Sequence, residues 1–224
     1  MAHEENKAFL RRVPLLSDLT EPQLDSLAAG SVRRAFPKGR TIVAEGEPSQ
    51  SLYILLSGRA KVQRSDADGK EVILAVLGPG ECFGEMSLID DAPRSASVIT
   101  IEACDFMAIN KDAFKAMMAQ SHEMAMKIMQ GLVKRLREAD KKIETLALLD
   151  VYGRVARVLL DFSEQVGTER VVRSKLPRQE IAKMIGASRE MVSRVMKGLE
   201  VDGYIVPMAE GKLVLREKLS SYLH

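Results

Sequence analysis

Pro177-Arg-Gln-Glu-Ile-Ala-Lys-Met-Ile-Gly186, then Ala187-Ser188, then Arg189-Glu-Met-Val-Ser-Arg-Val-Met-Lys-Gly-Leu199 is the stretch that decides the architecture. Pro177 suits the first turn of a helix, where its missing N–H is not needed, and Gly186 suits the helix end. Ser188 can cap a second helix running from Arg189 to about Asp202. On that helix Val192, Val195, Met196 and Leu199 fall at helical spacing and form an inward stripe, so Arg189, Glu190, Ser193, Arg194 and Lys197 point elsewhere. Two short helices joined by a turn containing glycine make a helix-turn-helix. Tyr204-Ile-Val206 and Lys212-Leu-Val-Leu215, joined through Ala209-Glu-Gly211, predict a β wing behind it.

Moving toward the N-terminus, a helix is expected from Tyr152 to about Gln165, and Val166-Gly-Thr-Glu-Arg-Val-Val-Arg-Ser174 interrupts helicity. Before it, Met129, Leu132, Leu136, Ala139, Ile143 and Leu146 are spaced 3, 4, 3, 4, 3. That is an a/d seam on a long helix from about Ser121 to Leu149. Lys134, Arg135, Arg137, Lys141 and Lys142 surround it, and so narrow a stripe favours a dimer seam over a helix sunk in one core.

From about Val32 to Ile109 the texture is different. Arg40–Ala44, Leu52–Leu56, Ala60–Arg64, Val72–Leu77, Ala96–Ile101 and Phe106–Ile109 are short β-rich runs. Turn signals such as Pro37-Lys-Gly39, Asp66-Ala-Asp-Gly69 and Gly78-Pro-Gly80 separate them, as in a sandwich or roll. Residues 1–30 read as short helical pieces, with Thr20 a cap and Pro22 in a first turn of Ser17-Asp-Leu-Thr-Glu-Pro-Gln-Leu24. The fold class is therefore α+β. Its parts are a β-roll with flanking helices over 1–118, a dimerisation helix and hinge over 119–149, and a winged helix-turn-helix over 150–224.

Two stretches carry chemistry. Arginine forks onto the O6/N7 edge of guanine and glutamate accepts from cytosine N4, so Arg189, Glu190 and Arg194 near a helix start can read a half-site containing G and C. Lys197, further along, is placed for phosphate. The second stretch is Gly78-Pro-Gly-Glu-Cys-Phe-Gly-Glu-Met-Ser-Leu88 with Ala92-Pro-Arg-Ser-Ala-Ser-Val98. Gly84 allows a sharp turn or close approach, Arg94 offers a planar fork of donors, Ser95 adds a hydroxyl, and Glu85 can accept from a sugar hydroxyl.

Bulk properties exclude several classes. The formal charge is +2 over 224 residues, but residues 1–116 carry about −3 and residues 146–224 about +3, which places the positive charge where nucleic acid would bind. No apolar run is long enough for a membrane span, and the N-terminus resembles no export signal, so a cytoplasmic protein is expected. Cys82 and Cys104 have no metal-ligand spacing, and His3, His122 and His224 form no catalytic cluster, so neither a metal nor an enzyme activity is expected.

Phe83-Gly-Glu-Met-Ser-Leu88 with Pro93-Arg-Ser-Ala-Ser-Val98 resembles the phosphate-binding cassette of cyclic-nucleotide domains. Leu146-Ala-Leu-Leu-Asp-Val-Tyr-Gly-Arg154 resembles the hinge, and Arg178-Gln-Glu-Ile181 through Arg194 the helix-turn-helix, of the catabolite activator protein family, the cyclic-AMP receptor/FNR superfamily. The resemblance spans nearly the whole chain. It implies an effector-controlled dimer acting on double-stranded promoter DNA with RNA polymerase. Its ligand site would be made by Gly84, Glu85, Met86, Ser87, Arg94, Ser95 and Ala96, with Glu85 on the ribose 2′-hydroxyl and Arg94 and Ser95 on the cyclic phosphate. Its DNA contacts would come from Arg178, Gln179, Ser188, Arg189, Glu190, Ser193, Arg194 and Lys197, on a TGTGA-like half-site.

One departure stands out: Ala139-Asp140 lies where the cyclic-AMP receptor presents a Thr-Ser pair to adenine. A carboxylate matches the N1–H and N2–H donors of guanine better than it matches adenine. Cyclic AMP is the first expectation, and cyclic di-GMP or another guanine nucleotide the alternative. An iron–sulfur sensor is disfavoured with two cysteines. A cyclic-nucleotide module acting on an enzyme through protein contacts is the reading from another class, and Arg189-Glu190 speaks against it.

Overall fold

The computed structural model describes residues 2–11, 13, 16, 17, 19–173 and 175–223; Asp18, Ser174 and His224, named above, lie outside them. By packing, the chain divides into two units, Met1–Arg135 and Leu136–His224.

The first unit opens with α1 (Ala2–Leu10) and α2 (Glu21–Ala29). Pro22 occupies the first turn of α2, and the Thr20 amide donates to Gln23 Oε1 at 2.9 Å, so the helix starts where its cap residues put it. Eight strands follow: β1 (Ser31–Phe36), β2 (Thr41–Val43), β3 (Ser51–Ser57), β4 (Ala60–Ser65), β5 (Glu71–Leu77), β6 (Cys82–Phe83), β7 (Ser97–Thr100) and β8 (Cys104–Asn110). A one-turn helix, α3 (Met86–Ile89), sits between β6 and β7. The strands make two antiparallel sheets, ordered β1-β8-β3-β6 and β2-β7-β4-β5. Val43, Leu55, Ala60, Leu77, Phe83, Val98 and Phe106, drawn from both sheets, share one core. Aromatic packing ties it together, with Tyr53 stacked on Phe83 at 5.2 Å and Phe83 edge-on to Phe106 at 5.7 Å.

The other face of the first sheet sends Leu52, Ile54, Met107 and Ile109 into a helical layer. That layer holds Leu24 and Leu27 of α2, Phe114 of α4 (Lys111–Gln120), and Met124 and Ile128 of α5 (His122–Leu148). Strands β3 and β8 are thus buried on both sides, which is why they read as unbroken apolar runs. The sequence reading did not anticipate β1, β6 or α3. Strand β1 carries Arg33 and Arg34 and is mostly exposed at a sheet edge, so it has no alternation to detect.

Along α5 the seam residues Met129, Leu136, Ala139, Ile143 and Leu146 are exposed, Leu136 by 62% and Ile143 by 64%. Leu132 differs: it is half-buried against the core of its own unit.

The second unit contains α6 (Val151–Asp161), β9 (Glu164–Val166), β10 (Glu169–Val172), α7 (Arg178–Ile185), α8 (Arg189–Val201), β11 (Ile205–Pro207) and β12 (Leu213–Leu215). Asp150 caps α6 by accepting from the Gly153 amide at 2.8 Å. Two expectations need correction. Helix α6 stops at Asp161, and the stretch after it is a β-hairpin turning at Gly167 rather than a mere interruption. Because β10 also pairs with β12, the wing is a four-stranded sheet ordered β11-β12-β10-β9. Ala209–Gly211, expected as the connection between the wing strands, is a short 3-10 segment, and a second one, Glu217–Leu223, buries Leu219. No described helix is long and apolar enough to cross a membrane.

Candidate ligand cradle and nucleic-acid interface

The cradle of the first unit is built around a left-handed glycine. Gly84 follows β6 with φ of +88°, and a Cβ there would overlap the Arg94 guanidinium, so no other residue fits. Arg94 is only 6% exposed. Its Nη1 donates to the Gly84 carbonyl at 3.0 Å and its Nη2 to the Ser51 carbonyl at 2.6 Å. Its backbone is clamped too: its amide donates to the Glu47 carbonyl at 2.9 Å, and its carbonyl accepts from the Gly46 amide at 2.8 Å. Burial draws the guanidinium pKa below its ordinary value, with Tyr53, Glu85 and Glu47 pulling the other way. Two of five N–H groups hold carbonyls, which fixes the plane of the fork and leaves donors for an anion.

Glu85 is 2% exposed, and its Oε2 has no hydrogen-bond partner among the described residues. Its Oε1 accepts from Arg135 of α5, whose other guanidinium nitrogen donates to the Cys82 carbonyl. A buried carboxylate oxygen without a donor is costly unless something supplies one. Arg135 is the residue that sequence reasoning missed: it was counted among the charges flanking the seam. Its spacing within α5 gives no hint of a partner fifty residues earlier. The nearby Cys82 thiol is pushed up to about 11, chiefly by burial and then by the Glu85 carboxylate.

The remaining expected ligand residues fall in different settings. Ser87 is buried and its hydroxyl donates to the Pro93 carbonyl at 3.4 Å, so it braces the turn. Ala96 is buried, whereas Ser95 and Met86 are exposed. Asp140 is exposed on α5, in the second unit. His3 approaches Glu4 and Asp25 within 4.8 Å, but the Lys7 ammonium already lies 2.5 Å from Asp25.

The interface of the second unit is positioned by caps. Gly186 ends α7 in the left-handed region at φ of +66°, and the Ala187 amide bonds back to the Ala182 carbonyl at 3.1 Å. Ser188 then accepts from the Met191 amide at 3.1 Å and starts α8. Arg154 of α6 donates to the Ile185 carbonyl at 3.0 Å and so ties the end of α7 to α6. Val192, Val195, Met196 and Leu199 are buried against α6, α7 and the wing. That leaves Arg189, Glu190, Ser193, Arg194 and Lys197 around an open depression of about 460 Å³. No side-chain hydrogen bond or ion pair joins these five to another described residue. Arg178 and Gln179, in the first turn of α7, are exposed as well.

Comparison with known proteins agrees with both halves. Residues 33–121 match the cyclic nucleotide-binding domain, and residues 153–221 match the Crp-like helix-turn-helix domain. The chain is 38% identical over 184 residues to the CRP-like cAMP-activated global transcriptional regulator of Mycobacterium tuberculosis, covering 80% of this chain and 81% of the relative. It is 35% identical to the cyclic AMP receptor protein of Thermus thermophilus, covering 91% and 93%. Among solved structures, the c-di-GMP responsive global regulator CLP of Xanthomonas campestris superposes with a TM-score of 0.75 at 29% identity, covering 88% of this chain and 99% of that one. The chain thus belongs to the CRP/FNR family of transcription regulators, a family of DNA-binding proteins rather than enzymes, and joins a cyclic nucleotide-binding domain to a Crp-like helix-turn-helix.

Proposed function

We propose that the protein is a homodimeric, sequence-specific regulator of promoter DNA, acting in the cytoplasm and switched by a cyclic nucleotide held at Glu85 and Arg94. The observation that carries this reading is the pairing of a buried arginine fork with a buried carboxylate whose second oxygen lacks a donor. A cyclic nucleotide supplies what each lacks: an anionic phosphate for Arg94 and Ser95, and a ribose hydroxyl that donates to Glu85. Arg135 shares Glu85, so a ligand engaging that carboxylate acts directly on α5. An effector shifts an equilibrium only through contacts that differ between two states, and on this reading a ligand that takes over the Glu85 carboxylate supplies such a difference.

The three parts keep separate roles: residues 1–118 bind the effector, 119–149 carry the dimer contact and hinge, and 150–224 read DNA. The exposed apolar seam of α5 supports dimerisation, since Leu136, Ile143 and Leu146 are each more than half exposed among the described residues. Two recognition helices would then meet half-sites roughly 34 Å apart. RNA polymerase is the partner expected at a promoter.

Cyclic AMP is the first effector, as in the Mycobacterium and Thermus relatives. The residue type at Asp140, where the family presents a Thr-Ser pair, favours a second reading, a guanine-bearing effector such as cyclic di-GMP, because a carboxylate matches both guanine N–H donors. The Xanthomonas relative responds to that nucleotide. Calorimetric titration with cyclic AMP, cyclic GMP and cyclic di-GMP decides between them. Binding of none of the three contradicts the proposal.

A further inference from the structure

We propose that Met191 reads the C5-methyl group of a thymine, giving the half-site an apolar contact beside its charged ones. The inference rests on the reading of α8 as the DNA-reading helix. Met191 is the third residue of α8, and its amide is held by the Ser188 hydroxyl at 3.1 Å, so its backbone position is fixed by the cap. It is 36% exposed, whereas Val192, Val195, Met196 and Leu199 on the same helix are fully packed. The core has not taken it. Met191 neighbours Glu190 in sequence and Arg194 at the i, i+3 position, which puts it on the flank of the outward face.

The chemistry narrows what that side chain can meet. Arg189, Glu190, Ser193, Arg194 and Lys197 can all exchange hydrogen bonds with phosphates or base edges. A thioether donates none and accepts weakly, so beside phosphate it gains nothing. In the major groove the apolar feature is the thymine methyl, and residues in the first turn of a recognition helix reach base edges. An unbranched, polarisable chain with three rotatable bonds can follow that methyl across a groove wall. Shielding one methyl group from water corresponds to about fourfold in affinity.

The test uses the full-length protein and duplexes it selects from a random-sequence pool. Each thymine is replaced in turn by deoxyuridine, which keeps the base edge and removes the methyl. Wild type is expected to lose about fourfold at one thymine in each half-site. Met191→Ala, which removes the contact from both half-sites, should lose about fourfold per half-site on the parent duplex and nothing further on that uridine duplex, while Met191→Leu keeps the sensitivity. If every thymine is neutral, or if the uridine loss persists in Met191→Ala, the inference is overturned and DNA reading stands. If selection returns no preferred sequence, the reading of α8 fails, and Met191's role with it. The scan on wild type needs no variant to fold.

Discussion

The two sites treat charge in opposite ways. In the cradle, Arg94 and Glu85 are almost wholly buried, and Arg94 is held at both terminal guanidinium nitrogens, Nη1 and Nη2, and along its backbone. On α8, Arg189, Glu190, Arg194 and Lys197 stand in solvent with no side-chain partner among the described residues. The difference follows from the ligands each would meet. A small anion offers few contacts, so its receptor gains by fixing the donors beforehand and excluding water. A DNA groove brings its own dense charge and wide surface, so the protein need fix only the helix and may leave the side chains free to settle on base edges.

The contrast predicts that damage in the cradle is severe and confined to effector response, while damage on α8 is graded. Arg94→Ala has the largest expected effect. Truncating one partner of a buried charge pair, here the arginine that meets the ligand anion, costs about 2–5 kcal/mol of binding. Effector binding should fall below calorimetric detection, while salt-dependent DNA binding persists. Gly84→Ala comes next. It forces a Cβ into the Arg94 guanidinium and strains a backbone at φ of +88°, so effector affinity should drop roughly a hundredfold, the scale of ~3 kcal/mol for disturbing a buried hydrogen-bonded group. Unaltered titrations in either variant would break the comparison on the cradle side.

Arg189→Ala should cost about 1–3 kcal/mol in DNA affinity and relax discrimination at one base pair. Equal weakening on all sequences would make it a phosphate contact. Lys197→Ala should weaken all duplexes alike and reduce the slope of log affinity against log salt by about 1, as read by anisotropy titrations. The smallest effect concerns Cys82. Its folded thiol keeps its proton to about 11, against an unfolded thiol that ionises near 8.5. The stability this contributes is complete below the unfolded value and is lost as pH rises through about 11. Denaturation of wild type and Cys82→Ala should therefore show the advantage of the wild type shrinking between about pH 9 and 11.

The contrast also explains what was legible in the sequence. The helix-turn-helix is local: Gly186, the Ser188 cap and the stripe from Val192 to Leu199 lie within fourteen consecutive residues, so spacing alone placed them. The four-stranded wing was not legible, because β9 and β10 are three and four residues long and close only through pairing with β12. In the cradle, Gly84, Glu85 and Arg94 stood out by type and by resemblance, but what holds them did not. Ser51, Glu47 and Arg135 meet them only through the fold, from far along the chain. Leu132 teaches the same point on α5, where a regular seam position was taken up by the core of its own unit.

The central claim is that a nucleotide in the cradle controls what α8 does to DNA. Its most direct test is the affinity of the full-length protein for a palindromic duplex carrying two TGTGA half-sites, measured at fixed salt with no effector, with cyclic AMP, and with cyclic di-GMP. One of the two nucleotides should shift the affinity by about tenfold or more, a change of ~1.4 kcal/mol, and Arg94→Ala should erase that shift. Identical affinity under all three conditions would contradict the account.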